Sequence, residues 1–468
     1  MGIFNNNLEV DIENPFKNDK LQREPEVKNL TAVFEIVDNQ MVLAVNSQWG
    51  TGKTSFLKMW NQYLINEGYK TIFFNAWEND YVEEPFIAFV DEIRESINDE
   101  NKIRGFIEKA KDVGLAIVKQ TPKMASKMIR EKTGFDSDVI VSDDELAQMV
   151  SAKIDNYKKD KNSVKKFKRE LEKVADKQFE ESKKSIVIFV DELDRCRPDY
   201  AISLLERIKH FFNGNNIIFI LGIDKEALSN AVKVIYGEQT DTNGYLTRFI
   251  DLEYKLKESN KEQYVKYLLN KYEFDKIFEK RKFSNVLETE YKYNDFSKVV
   301  IQVAIGFKLS LRDIEKFVVE VYMILKANIK KCVFPYQLLI LCAIKRVDKN
   351  LYNKMKFNKI SIGQIISNLE KNNANIINWL EDRETCVFKA YLIWILNDSN
   401  EIERLRENTS KVEEAERYSD KDVRCLEIYD WIVKGAAYFR LSLDNNRIRK
   451  DIFVMVDLYD NFIMVDGK

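Results

Sequence analysis

The stretch Ser47–Ser55, SQWGTGKTS, holds the residue types that a triphosphate needs, at the spacing it needs. Bare backbone N–H groups must curl around the β-phosphate, which requires glycine; a lysine must reach the β- and γ-oxygens, and a hydroxyl must meet Mg2+. Gly50, Gly52, Lys53 and Thr54 supply these, with Ser47, Gln48, Trp49, Thr51 and Ser55 completing the candidate nucleotide-binding loop. The full pattern GxxxxGK[ST] has glycine where this chain has Ser47, so the first turn of the loop has less conformational freedom. Taken alone, such a string also starts helices for packing reasons. The second signal lies downstream, where the apolar run IVIFVDE ends in Asp191 and Glu192. A buried strand ending in paired acids delivers one carboxylate to Mg2+ and another to an attacking water. Thr54 and Asp191 are therefore the candidate metal ligands, and Lys53, Asp191 and Glu192 the candidate catalytic residues.

Such residues need strand ends beside a helix start. MVLAVN (41–46) leads into the loop and a helical segment, 54–64, leaves it: strand, loop, helix. Apolar runs also occupy 71–77 (TIFFNAW), 185–192 (SIVIFVDE) and 216–224 (NIIFILGID), with a weaker fifth at 248–254 (RFIDLEY). Runs apolar on both faces, separated by helical patterns, predict an α/β core with a parallel sheet between helix layers. Its segments are 1–102 and 181–254, of which the residues before 40 read as a polar lead-in with one helix at 26–37. Residues 103–180 read as a helical insertion. Its first part is amphipathic and basic, with Lys109, Lys119, Lys123, Lys127 and Arg130 on the polar face. Its second part, including YKKDKNSVKKFKR (157–169), reads as a solvated helix or mobile arm. Beyond 255 the patterns are helical throughout, and 399–420 reads as a long exposed helix or linker.

Composition removes other chemistries. A single histidine, His210, excludes a histidine-dependent nuclease, a Ser/His/Asp hydrolase and a multi-histidine metal centre. His210 itself, among Ile208, Phe211 and Phe212, is given no role. Basic and acidic residues nearly balance, 74 against 76, so nucleic acid could be held only by a local patch. Lys158 to Arg169, with seven basic residues against one acidic, is the one candidate, and a solvated helix face is the other reading of it. The five cysteines form no metal or disulfide spacing, and the longest apolar runs fall far short of the roughly 18 residues that cross a bilayer. The expectation is a cytoplasmic protein with no transmembrane segment.

The strings W-G-T-G-K-T (49–54), F-N-A-W (74–77), V-D-E-L-D-R-C-R-P (190–198) with L-L-E-R-I-K after it, and I-L-G-I-D (220–224) resemble the KAP family of P-loop NTPases. The resemblance spans about residues 15–325. It implies ATP with Mg2+, the additional-strand catalytic-glutamate class, and strand order 5-1-4-3-2. It further implies that Asp224, ending the fourth strand, senses the γ-phosphate. Arginines from a later strand or from a helical lid at 255–330, often acting on a neighbouring subunit, complete the site in that class; Arg248 and Arg312 stand at such places. Residues 331–468, a C-terminal helical domain, match no named family. Two departures stand out. Family members often carry transmembrane helices where this chain has its amphipathic insertion; packing on the core is the favoured reading of that helix, and interfacial membrane binding the other. Many also have aspartate where this chain has Glu192, and glutamate there favours hydrolysis.

The expected function is a Mg2+-dependent ATPase acting as an oligomerising switch. It would form a homo-oligomer and work with a separate effector or sensor protein. Resemblance to bacterial KAP-like proteins suggests anti-phage defence or a related intracellular conflict. Two alternatives stay open: an ATPase in a DNA transaction using the basic insertion, and a nucleotide-locked scaffold with little turnover, for which Ser47 is the hint.

Overall fold

A computed structural model describes residues 10–36, 40–96, 100–120, 143–212, 214–258, 260–281, 293–328, 335–357, 359–382, 385–412, 420–438 and 445–458. The part of the basic insertion that includes Lys123, Lys127 and Arg130 lies outside these residues. Residues 8–258 form one compact unit and residues 259–468 a second.

The first unit is built on five strands: β1 Gln40–Asn46, β2 Thr71–Asn75, β3 Ile186–Asp191, β4 Ile217–Ile223 and β5 Leu252–Lys255. All neighbours are parallel and the order is β2-β3-β4-β1-β5, the expected 5-1-4-3-2 read from the other edge. β4 thus separates β1, which leads to Lys53, from β3, which ends at Asp191. Alternate side chains of each strand go to opposite faces. Val42, Ala44, Ile188, Val190, Phe219 and Leu221 belong to one apolar cluster, and Met41, Leu43, Val45, Val187, Phe189 and Ile220 to the other. Both faces are covered by helices, which makes a three-layer α/β fold.

On the second face, helix α1 (Glu24–Ala32) and helix α2 (Lys53–Asn66) bury Val27 and Leu30, and Phe56, Leu57, Trp60 and Leu64. The residues before β1 are more than a polar lead-in. Phe34 stacks on Trp60 with centroids 5.8 Å apart, and the buried Arg23 pairs with Glu26 at 2.8 Å. Glu26 in turn accepts the Tyr254 hydroxyl of β5 at 2.7 Å. A buried arginine is tolerated only when paired in this way.

Helix α3 (Pro85–Ser96) and the two insertion helices, α4 (Glu100–Gln120) and α5 (Asp143–Ser182), lie on the first face with α6 (Pro198–Arg207) and α7 (Lys225–Tyr236). Phe106, Ala110 and Val113 of α4 and Phe167, Leu171 and Ala175 of α5 are core residues. Phe167 meets the rings of Phe86, Phe106 and Phe212 at 5.3, 5.1 and 5.5 Å. The segment read from its charge as a solvated or mobile arm is therefore, from Phe167 onward, part of the core. Lys161, Lys165, Lys166 and Arg169 are exposed on the other side of the same helix.

Among the described residues the second unit is all helical. Its helices Leu311–Ala327, Pro335–Val347 and Cys386–Leu396 supply the most buried apolar surface. Two buried charges are paired there, Glu320 with Arg346 at 2.8 Å and Lys389 with Glu401 at 3.2 Å. Helix Ser399–Thr409 buries Ile402 and Leu405, so that charged stretch packs rather than standing free as a linker. No helix among the described residues is long and apolar enough to cross a membrane.

Candidate functional site

The loop Ser47–Gly52 joins β1 to the first turn of α2, where the helix leaves its N–H groups unsatisfied and favours an anion. Gly50 and Gly52 adopt φ of 78° and 89°, left-handed backbone that a side chain would strain. Ser47 does not adopt a positive φ, so the missing first glycine needs no left-handed freedom here. Instead the Ser47 hydroxyl accepts the Thr51 hydroxyl at 2.9 Å and its N–H donates to Ile223 of β4 at 3.1 Å, pinning the loop to the sheet. Lys53 is buried and donates to the Ser47 carbonyl at 3.1 Å. Burial pulls its pKa down, opposed by the carboxylates of Asp194, Asp191 and Asp224.

β3 carries Asp191 to the same end of the sheet. Its carboxyl is 1% exposed, and burial pushes its pKa up to about 6, against the nearby Thr54 hydroxyl, which favours the anion. One oxygen, Oδ1, accepts the Glu192 N–H at 2.9 Å; the other, Oδ2, is buried with no hydrogen-bond partner among the described residues. A buried acceptor left unsatisfied beside a lysine and a threonine hydroxyl is what a divalent cation would complete. Among the described residues no cluster of three or more His, Cys, Asp or Glu forms a metal site. Thr54 and Asp191 could hold one divalent cation only together with ligands from outside the chain, such as phosphate oxygens and water.

Glu192 turns the chain out of β3 at φ 60°, into the short 3-10 turn Leu193–Arg195. Its carboxylate is held by Arg195 at 2.8 Å and by the Asn75 amide, from the end of β2, at 3.4 Å. The Arg195 guanidinium also lies over the Trp77 ring, 5.5 Å from its centroid. Asp224 follows β4 and caps α7, accepting the N–H groups of Glu226 and Ala227 at 3.1 and 3.3 Å. Its charge reaches Lys53, but one oxygen already has a structural task. Beside it, Asn46 accepts the Lys225 N–H at 3.0 Å and donates to Glu253 at 2.8 Å. Lys225 closes the network on Glu253 at 2.6 Å, and that contact holds the Glu253 pKa down.

Lys53, Thr54, Asp191, Glu192 and Asp224 are thus gathered at the carboxyl ends of β1, β3 and β4. Arg248 is not among them. It precedes β5, whose first residue is level with Leu43, and the neighbouring Asp251 carboxylate accepts the Val42 N–H at 2.8 Å near the start of β1. It lies instead at the opposite end of the sheet. There it is exposed and lines a cleft of about 610 Å3 with Glu206 and Tyr236 from the far ends of α6 and α7, His210 from the turn after α6, and Tyr245 from the short helix Thr242–Leu246. Arg312 belongs to the second unit, exposed at the start of the helix Leu311–Ala327 that Ser310 caps.

Sequence reasoning missed three residues of the site. Asp194 stands 3.6 Å from Lys53 and accepts the Trp49 indole N–H, although only Asp191 and Glu192 of its motif were singled out. Asn75, inside F-N-A-W, reaches Glu192 only because β2 and β3 pair. Gly222 lies where a Cβ would run into Leu57 Cδ1 and sit 2.8 Å from Asp191 Oδ1, so a bare backbone lets β4 pass beneath the acid. The strings containing all three were visible; their convergence needs the sheet order.

Among curated proteins, none matches the sequence. The fold is similar to that in a structure of C. elegans PCH-2, with 15% identity, TM-score 0.29, and coverage of 72% of this chain and 70% of that one. It is also similar to the Aeropyrum pernix ORC2 protein in ADPNP-ADP complexes, with 13% identity, TM-score 0.26, and coverage of 87% and 94%. Likenesses this remote bear on neither substrate nor assembly. The family comparison is decisive: residues 23–328 match the KAP family P-loop domain. With the loop, the acid-ended β3 and the intervening β4 in place, the chain belongs to the KAP family of P-loop NTPases.

Proposed function

We propose that this chain is a Mg2+-dependent ATPase that switches between nucleotide states. The observation that carries the reading is the buried, unpartnered Asp191 Oδ2 beside Lys53 and Thr54, an acceptor that burial alone would not leave open. In this reading the loop N–H groups from Ser47 to Ser55 and Lys53 take the phosphates, and Thr54 and Asp191 hold the metal. Bound Mg2+ would neutralise charge on the β- and γ-oxygens. Glu192, once released by Arg195 and Asn75, orients and deprotonates the attacking water. Asp224 reads the γ-phosphate with the carboxylate oxygen that does not cap α7. Arg248, at the far end of the sheet from its own Lys53, serves the site of a second copy, which supports a homo-oligomer. Arg312 of the lid is the other arginine we assign to the γ-phosphate.

We further infer a cytoplasmic setting, supported by the four described cysteines, all buried free thiols, and a separate effector or sensor protein. Anti-phage defence or a related conflict role rests on the family resemblance alone.

Phosphate release from ATP and from GTP, with and without Mg2+, tests the reading. Lys53→Ala should lose nucleotide binding. Glu192→Gln should bind as wild type does and hydrolyse about a hundredfold more slowly. Wild-type turnover that ignores Mg2+, or a Glu192→Gln variant at full rate, would sink it. Mass measurement of wild type and Lys53→Ala with ATP tests assembly, and a wild type that stays monomeric counts against the switch.

A further inference from the structure

Asp194 has no role in the reaction as read above, yet it is the residue that satisfies the phosphate-binding lysine in this structure. Its side chain is only 1% exposed, and that of Lys53 is 9% exposed. Oδ2 accepts the Trp49 indole N–H, so the acid is tied to the loop itself. Oδ1 is 3.6 Å from Lys53 Nζ and has no hydrogen-bond partner among the described residues. Among the described residues, Lys53 otherwise donates to the Ser47 carbonyl, at 3.1 Å. A buried ammonium without a counter-charge is costly, and Asp194 is the first of the carboxylates that favour its charge. A phosphate needs that same ammonium and meets the same carboxylate as a repelling charge.

We propose that Asp194 is an internal counter-ion for Lys53, a positioning residue that stands in for phosphate and is displaced when nucleotide enters. The proposal rests on the nucleotide-binding reading of the site. Through Trp49 the exchange also moves the loop: Lys53 leaves Asp194, the indole loses its charged acceptor, and the turn Leu193–Arg195 that carries Asp194 is freed with it. Because Arg195 of this turn holds Glu192, the same displacement loosens the water-activating carboxylate. Nucleotide entry and release of Glu192 are one event in this arrangement.

Removing the charge but keeping the shape separates this role from a merely structural one, since damage to a site weakens binding whereas loss of a competing counter-ion tightens it. ADP binding to the full chain is measured by calorimetry for wild type, Asp194→Asn and Asp194→Ser. The neutral variants should bind ADP at least about tenfold more tightly than wild type. Trp49 gives an independent readout. ADP should change the wild-type tryptophan emission, Trp49→Phe should abolish that change, and Asp194→Asn without nucleotide should already show the shifted spectrum. Unchanged or weaker ADP binding in both folded neutral variants overturns the counter-ion role and leaves the nucleotide site standing. A wild type that binds neither ADP nor ATP overturns both.

Discussion

Replacing Asp191 by asparagine should stabilise the nucleotide-free protein while destroying its chemistry. Burial raises the Asp191 pKa from 3.8 to about 6 in the folded chain, so ionising it at neutral pH costs folding free energy. At about 1.4 kcal/mol per unit, that difference is worth about 3 kcal/mol, with the attraction of Lys53 already included. Since the folded-state value lies above the unfolded one, the stabilising contribution of the protonated acid is full below about pH 4. It is lost as the pH rises through about 6. Urea unfolding of wild type and Asp191→Asn, without nucleotide or Mg2+, across pH 4 to 8 reads this directly. The wild type should lose stability across that range relative to the variant, until Asp191→Asn is more stable by about 3 kcal/mol at pH 8. The two should converge at pH 4. Added Mg2+ and ATP should favour only the wild type, because binding to the native state alone shifts the equilibrium. An Asp191→Asn variant less stable than wild type at pH 8, or a difference that does not change with pH, would refute the claim that burial dominates at this carboxyl.

Other expectations follow from the packing. Gly222→Ala should cost about 1–3 kcal/mol in urea unfolding and lower Mg2+-dependent hydrolysis, because its Cβ would press on Leu57 and Asp191. Phe167→Ala should destabilise the sheet unit by about 3–5 kcal/mol, whereas Lys165→Ser and Lys166→Ser on the exposed side of the helix should stay within about 0.5 kcal/mol. Equal effects from the two sets would contradict a core role for the insertion. Arg248→Ala should leave ADP affinity unchanged and lower kcat about a hundredfold or more. Mixing it with Lys53→Ala, which keeps the arginine, should restore part of the rate. No recovery in the mixture would argue against service to a neighbouring site.

The parts of the site that lie within one short string were legible in the sequence. Lys53 and Thr54 follow directly from a strand-loop-helix pattern, and Asp191 from an apolar run that ends in acid. The strand order came from resemblance, and the sheet order β2-β3-β4-β1-β5 bears it out. What stayed hidden depends on contacts between strings far apart in the chain. Asp194 meets Trp49 across 145 positions, and no spacing rule encodes that distance. The capping bonds of Asp224 were readable in principle, since an aspartate just before a helix is a standard cap, but its position after β4 drew the reading toward the phosphate. Charge concealed Phe167: the lysines around it dominate any count, while the narrow stripe it forms with Leu171 and Ala175 is what packs.

The insertion helix α5 joins a long lever to the strand that carries Asp191. It ends at Ser182, with three residues between it and the start of β3 at Ile186, and β3 ends at Asp191. At 1.5 Å per residue its 40 residues make a rod about 60 Å long, anchored in its carboxyl-terminal half by Phe167, Leu171 and Ala175. From Phe167 back to Asp143 the rod runs about 36 Å at that rise, so a tilt of about 5° at the anchor moves its start through roughly 3 Å. A shift of β3 at Asp191 would thereby be carried along the insertion helix toward its start.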